Sequence, residues 1–281
     1  MSWTPDPDHR HHQVLRLTRA ADLVRVILDS EPVYGWRDRT VGARARTENG
    51  LAWLRVLTAA PERAHGKIWD GTATAEAVQG VAKPTLTRAV EWDEDNVRIR
   101  ADLTTFIADQ PCSPTPELRQ PLDLPGRWWR SLRASLDAVA ATPTDRVTVR
   151  QDLVARRVTT LVGYRVDPTV RSWATAHGDL HWANLTQPTC CLLDWEGWGL
   201  APVGFDAAML YGYTLLQPEL AEHVYDVFRD ILDTPEGVLA QLFVIAELLV
   251  KVSRGDHPEL EEPLHHETER ILGWAADGAM V

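Results

Sequence analysis

The chain of 281 residues is 44% hydrophobic and 25% charged, with a formal net charge of −11: an ordinary balance for a soluble globular protein, large enough for one domain or two lobes. That charge argues against general nucleic-acid binding, which rests on clustered cations against phosphates, and is compatible with a cationic small-molecule partner or with solubility alone. The cysteines Cys112, Cys190 and Cys191 are odd in number and lack metal-type spacing, so a reducing cytoplasm is expected, and neither the polar segment 1–13 nor any later apolar run reads as a signal peptide or a membrane span.

Taken in chain order, the first third reads mainly as sheet. A strand near Val41–Thr47 leads to Asn49-Gly50, a hairpin signal because both residues tolerate positive φ. The return strand runs Leu51–Leu57. A short helix is expected from about Gly71 to Val78, then strands around Thr85–Trp92 and Val97–Phe106. The remainder reads as helix. Trp128, Leu132, Leu136 and Val139 form a stripe at spacings of three and four within Leu124–Ala141. Val147–Leu161, Val170–Thr175, Val203–Leu216, Glu219–Leu232, Pro235–Val252 and Leu260–Ala275 are further expected helices. Thr234-Pro235 supplies a capping hydroxyl and then proline at the first helical position. Sheet followed by helix predicts two lobes in an α+β arrangement, divided here as 1–105 and 106–281.

The chemistry concentrates in His177-Gly178-Asp179-Leu180-His181-Trp182-Ala183-Asn184 and in Asp194 of Leu192-Leu193-Asp194-Trp195-Glu196. Gly178 permits a tight loop there, expected between a helix ending near Thr175 and a short strand at Leu192-Leu193. Asp179 can accept a hydroxyl proton. Asn184 and Asp194 offer the neutral and charged oxygens that magnesium prefers. His177 and His181, four apart, also have a zinc-ligand spacing, but Gly178 disfavours the helical turn that spacing needs, and no third ligand is obvious. Trp182, Trp195 and Trp198 lie close by. Each is read as core, with one of them lining a substrate pocket as the alternative.

His177-x-Asp179-x-x-x-x-Asn184 followed by Asp194 resembles the catalytic loop and metal-binding Asp of the aminoglycoside phosphotransferase and choline kinase-like group. The resemblance implies a bilobal, protein-kinase-like α+β fold, with a small N-terminal antiparallel sheet lobe and a larger, mostly helical C-terminal lobe. It implies a phosphotransferase using ATP and Mg²⁺ on a hydroxyl of a small molecule, with an aminoglycoside-type antibiotic as the first acceptor considered. Choline, homoserine, a sugar or another antibiotic are alternatives, as is a non-catalytic nucleotide-binding relative. In that frame Asp179 is the catalytic base, and Asn184 and Asp194 are the metal ligands. His177 and His181 are structural, Asp206 caps a helix and holds the loop, and Glu196 faces substrate. Gly35–Thr40 resembles the nucleotide loop, whose amides and Thr40 hydroxyl meet the phosphates. Backbone groups near Thr105 and Ile107 pair with adenine. Arg55 stands where many relatives carry a phosphate-pairing Lys, and its acidic partner is left open among Glu76, Asp70 and Glu62.

Overall fold

Alternating small apolar residues in the first hundred positions build a sheet with one covered face. The computed structural model describes residues 4–94 and 96–276 and divides into two units. One takes in the chain up to Ala77 together with Lys83–Ala108; the other takes in Val78–Ala82 and the chain from Asp109 onward.

The first unit opens on helix α1 (Pro7–Val24), where sequence patterning predicts no regular element. Asp6 caps it by accepting from the Asp8 amide, Pro7 starts it, and Arg25 ends it in the left-handed region. Strands β1 (Ile27–Leu28), β2 (Val33–Tyr34), β3 (Thr40–Thr47) and β4 (Gly50–Ala59) follow, then the short helix α2 (Gly71–Thr74), β5 (Leu86–Glu94) and β6 (Val97–Thr105). The sheet order is β1-β3-β4-β6-β5, with β2 also on β3 and every pairing antiparallel. Positions 41, 43 and 45, then 52, 54 and 56, then 99, 101 and 103 place Val, Ala, Leu and Ile on one face. Leu17, Ala20, Ala21 and Val24 of α1 belong to the same core. The hairpin turns one residue earlier than expected: Thr47 pairs with Gly50, so Glu48-Asn49 make the turn. The Thr47 hydroxyl sets that register, accepting from the Asn49 amide and donating to the Gly50 carbonyl.

α1 also grips the loop before β3. Arg37 and Asp38 both have positive φ, +51° and +52°, a conformation that costs a non-glycine residue about 1–2 kcal/mol. The Asp38 carboxylate is buried and takes a two-pronged hydrogen bond from Arg10, at 2.7 and 2.9 Å. Its carbonyl accepts from Gln13 and lies 3.0 Å from His9 Nε2. Thr40 closes the loop through its carbonyl and the Gly35 amide. A Cβ on Gly35 would sit 2.2 Å from Thr40 Oγ1, so a larger residue there would displace the Thr40 hydroxyl.

The second unit contains β7 (Gln110–Pro111), α3 (Gly126–Ala140), α4 (Gln151–Val162), β8 (Trp173–Ala176), β9 (Thr186–Gln187), β10 (Gly199–Pro202), α5 (Phe205–Gly212), α6 (Pro218–Val227), α7 (Arg229–Leu232), α8 (Pro235–Ser253) and α9 (Glu261–Ala276). α8 is buried along most of its length, from Gly237 through Ala246 and at Leu248 and Val252, and forms the axis of this unit. Its start is capped by Thr234, whose hydroxyl accepts from the Gly237 amide. Three expected elements differ. Val170–Thr175 is not helical: Trp173–Ala176 is a strand, paired antiparallel with β10. The segment between Pro168 and Gly178 gains little from helix propensity alone, and pairing with a distant strand decides its state. Glu219–Leu232 breaks at Phe228 into α6 and α7. Leu192-Leu193 makes a single bridge, Leu192 to Leu185, rather than a strand.

No helix among the described residues is long and apolar enough to cross a membrane. Trp128, Trp129 and Trp182 pack as a cluster. Trp128 stacks on Trp182 at 6.2 Å, and their indole N–H groups reach the Thr186 carbonyl and the Thr214 hydroxyl. Trp182, Trp195 and Trp198 are all buried, so all three are core residues.

Candidate active site

β8 delivers the chain to His177, and one buried carboxylate sets the path from there. Asp206, in the first turn of α5, accepts from the His177 amide at 2.6 Å and the Gly178 amide at 3.0 Å. The residue that caps α5 is Gly204, not Asp206. The Asp206 side chain points to the loop, correcting the helix-capping half of its expected role. Burial pushes its pKa above the ordinary carboxylate value, against the opposing pull of His177 and the two amide bonds.

Gly178 turns the loop at φ +85°, and a Cβ there would lie 2.4 Å from the Gly197 carbonyl oxygen. The loop therefore packs backbone to backbone on the 3₁₀ turn Trp195–Gly197 that follows Asp194. His177 is fully buried; its Nε2 is 2.8 Å from the Leu193 carbonyl, and its ring lies edge-on to Trp195. It braces the loop against the segment that carries Asp194.

A second 3₁₀ turn, Trp182–Asn184, brings Asn184 back under Asp179. Asn184 Nδ2 donates to the Asp179 carbonyl at 2.9 Å and lies 3.2 Å from His181 Nε2. Its nitrogen is thus occupied, and Oδ1 is the atom left to meet a cation. The Leu193 amide bonds the Asn184 carbonyl at 2.8 Å, which ties Asp194 to the same turn. Asp194 itself sits at φ +58°, ψ +71°, a strained conformation of the kind that clusters at functional sites. Half-buried Glu196 follows within the next turn.

The Asp179 side chain keeps 39% of its surface exposed, and its Oδ2 lies 3.5 Å from His181 Nε2. Burial alone would raise its pKa. The hydrogen bond from His181 and the charges of His181, Lys251 and His177 outweigh that and hold the carboxyl well below the usual range. Asp179 is therefore an ionised, reachable carboxylate.

No protein-family model matches the chain, and no curated protein matches it by sequence. Among solved structures it is similar to the aminoglycoside phosphotransferase APH(4)-Ia, with 11% identity over 93% of this chain and 98% of that one and a TM-score of 0.62. An amicoumacin kinase is 12% identical over 94% of this chain and 93% of its own, with a TM-score of 0.56. The spectinomycin phosphotransferase APH(9)-Ia is 11% identical over 90% and 93%, with a TM-score of 0.53. This chain has the aminoglycoside phosphotransferase fold.

Within this phosphotransferase fold, the surroundings of Asp179 hold residues that the motif alone does not reveal. The His181 ring meets Tyr213 edge-on at 5.7 Å. The Tyr213 hydroxyl accepts from Lys251 Nζ of α8 at 2.7 Å, and its ring meets His257 at 5.5 Å. His257 Nδ1 lies 2.6 Å from the buried carboxylate of Glu117, which also pairs with Arg119. The sequence carries one clue to this network: Lys251 is one of only three lysines and lies in a strongly apolar run.

Glu117 makes the network sensitive to acid. Burial opposes its ionisation, but His257, a backbone amide and Arg119 lower its pKa to about 2, against 4.5 when unperturbed. A carboxyl depressed in the folded state stabilises above its unfolded pKa and loses that contribution as pH falls through the folded one. Glu117→Gln is therefore expected to lower stability at neutral pH. The gap to the wild type should close steadily from about pH 5 to pH 2 in urea melts; a constant gap would refute the assignment.

The donor-side expectations fall in the first unit. Thr40 begins β3 and its carbonyl is tied to Gly35. The amides of Gly35, Asp38 and Arg39 already bond within the loop, to Thr40, Gly35 and Trp36 carbonyls. That narrows the amides left for phosphate and corrects the broader expectation. Arg55 stands opposite Asp102 in the β4–β6 ladder. Asp102, which sequence reading does not name, is buried, bonded by Arg100 at 2.8 Å, and within the field of Arg55. Asp70 and Glu76 lie at either end of α2 and its 3₁₀ extension, and Glu62 in an earlier turn. The Thr105 amide is taken by the Thr85 carbonyl, so it is not the group that meets a base. Ile107 lies two residues beyond β6, half-buried.

Among the described residues no group of three or more His, Cys, Asp or Glu gathers as a metal cage. The donor set of Asn184 and Asp194 instead suits a hard cation that keeps several waters and shares phosphate oxygens, as Mg²⁺ does.

Proposed function

We propose that the protein is an ATP-dependent phosphotransferase acting on a hydroxyl of a small molecule. The observation that carries this reading is the folded turn itself: Asp206 holds a loop that presents an ionised, partly exposed Asp179 while Asn184 is pinned beneath it and tied to Asp194. Asp179 orients the acceptor hydroxyl and takes its proton. Asn184 and Asp194 would hold Mg²⁺, which neutralises charge on the transferred phosphoryl group. His177, Gly178 and Asp206 keep these groups in register, and positioning of this kind supplies most of the rate in phosphoryl transfer. Thr40 and Arg55 serve the donor phosphates, and the segment around Ile107 serves the base. The solved complexes are consistent with this: APH(4)-Ia with ADP and hygromycin B, and an amicoumacin kinase with AMP-PNP and Ca²⁺.

Two acceptor classes follow. The net charge of −11 and the neighbours' names favour an aminoglycoside-type antibiotic, and with it a role in resistance. The arginine pairing of acidic side chains on the C-terminal helices favours another small alcohol: Arg157 holds Glu247, Arg133 holds Asp230 and Arg270 holds Glu267. The test is turnover of ATP and Mg²⁺ with aminoglycosides, choline, homoserine and simple sugars, read as phosphate carried on the acceptor. Binding of ATP without transfer to any of them would support a nucleotide-binding protein instead.

A further inference from the structure

The face of the first unit's sheet opposite to α1 carries a row of charges of alternating sign. Arg98 donates to Glu91 at 3.1 Å, Glu91 also accepts from Arg100 at 2.9 Å, and Arg100 Nε donates to Asp102 Oδ1 at 2.8 Å. The Trp69 indole N–H reaches Glu91 as well, at 3.0 Å. Arg55 is the next member of the row. It is the direct partner of Asp102 in the β4–β6 ladder, as Leu57 is of Arg100. Directly paired residues share a face, with Cβ atoms about 4.5–5.5 Å apart.

Asp102 is built as a fixed point. It is 2% exposed, its side chain is short, and one of its oxygens is held by Arg100, itself buried. Burial pushes its pKa above the ordinary carboxylate value, and Arg100 and Arg55 oppose that shift. A buried carboxylate is stabilised by positive charge close by, and half-buried Arg55 stands directly across from it. The dependence also runs the other way. Arg55 has a long, flexible side chain, and Arg100 is its diagonal neighbour on the same face. Without Asp102 the two guanidinium groups would meet with like charge, on residues about 7–8 Å apart.

Arg55 serves the donor phosphates on the phosphotransferase reading given above, and on that reading we infer that Asp102 is a positioning carboxylate for Arg55. Asp102 touches no substrate. It holds the guanidinium in one place, so that the planar fork meets phosphate without first having to be ordered. Asp70 and Glu76 lie at either end of a four-residue helix and its 3₁₀ extension. Asp102 instead sits in the body of the sheet, on a strand paired on both sides, so backbone pairing sets its distance to Arg55. The cation that meets the donor is thereby preset by the sheet.

The test is a double-mutant cycle on the full-length protein, read as calorimetric affinity for MgATP, which requires no acceptor. Arg55→Met is expected to weaken binding about ten- to a hundredfold, the range for a charge-assisted bond. Asp102→Asn keeps the shape of the side chain and an oxygen for Arg100. It is expected to weaken MgATP binding about fivefold or more beside Arg55, and by less than about twofold in the Arg55→Met background. A carboxylate acting only through its charge would give the opposite sign, because removing it near a triphosphate tightens binding. One that merely supports the fold would weaken both backgrounds alike. Unchanged or tighter binding beside Arg55, equal weakening in both backgrounds, or coupling of Arg55 to Glu76 or Asp70 with none to Asp102 overturns the inference. Asp102→Thr, suited to a strand, gives the same reading if the Asn variant fails to fold. If MgATP binds and no acceptor is phosphorylated, the functional reading fails and the same cycle still decides the role of Asp102. A wild type that binds no MgATP sinks both.

Discussion

Asp179→Asn is expected to lower phosphotransfer by about 10²–10⁴-fold, the range for losing a positioned general base, with ATP affinity within about twofold of wild type. The amide retains the size of the carboxylate and can still reach His181, but it has no charge with which to orient a hydroxyl and takes up no proton. The low pKa of Asp179 sharpens the expectation. A carboxylate held so far on the acidic side is a weak base in the ground state, and its value lies in being ionised and fixed where the acceptor proton departs. Single-turnover rates with saturating ATP separate this from a binding defect. An Asp179→Asn protein that retained more than about a tenth of the rate would show that another group does this work.

Asp206→Ala should be nearly as damaging by a different route. It leaves the His177 and Gly178 amides without their acceptor in a buried position. Each unsatisfied group costs about 1–3 kcal/mol, so a stability loss of about 2–5 kcal/mol is expected in chemical denaturation. Asn at this position retains an oxygen for one amide but turns an N–H toward the other, and should fall between. The loop would lose its anchor even where the protein remains folded, and kcat should drop by an order of magnitude or more with little change in nucleotide affinity. An Asp206→Ala protein as stable and as fast as wild type would mean that Gly178 and His177 hold the loop unaided.

The difference between these two carboxylates shows what the sequence makes legible. Asp179 and Asn184 are legible because their information is local: a spacing of five places both in one loop, and Asp194 follows ten residues on in a second loop. The strands of the first unit are legible for the same reason, since Val41, Ala43 and Ala45 alternate within a single run. β8 is not, because its state depends on Gly199–Pro202, a partner whose own glycine and proline hide it. α1 carries Leu17, Ala20, Ala21 and Val24 at helical spacing, yet its polar first half, rich in histidine and arginine, masks the stripe. Lys251 acquires its partner only from Tyr213, far along the chain, and for it a single sequence offers type and position but no partner. For Asp206 the family resemblance names the loop it holds, and only the fold shows the two amides by which it does so.

The grip of α1 on the loop before β3 has a consequence for the start of the chain. Three of its residues, His9, Arg10 and Gln13, sit within two helical turns of the beginning and converge on one residue, Asp38. Both ends of that grip must be present for two successive residues to stay at positive φ. Starting the protein at Val14 would spare most of the apolar stripe, so the sheet should still form. Asp38 would nonetheless be left as a buried carboxylate without its guanidinium, and the turn at Arg37 would be free to relax. Amide exchange across Gly35–Thr40 in such a shortened protein should quicken sharply while β4 and β6 remain protected. The leading segment, easily taken for a dispensable tail, is the outer half of a latch.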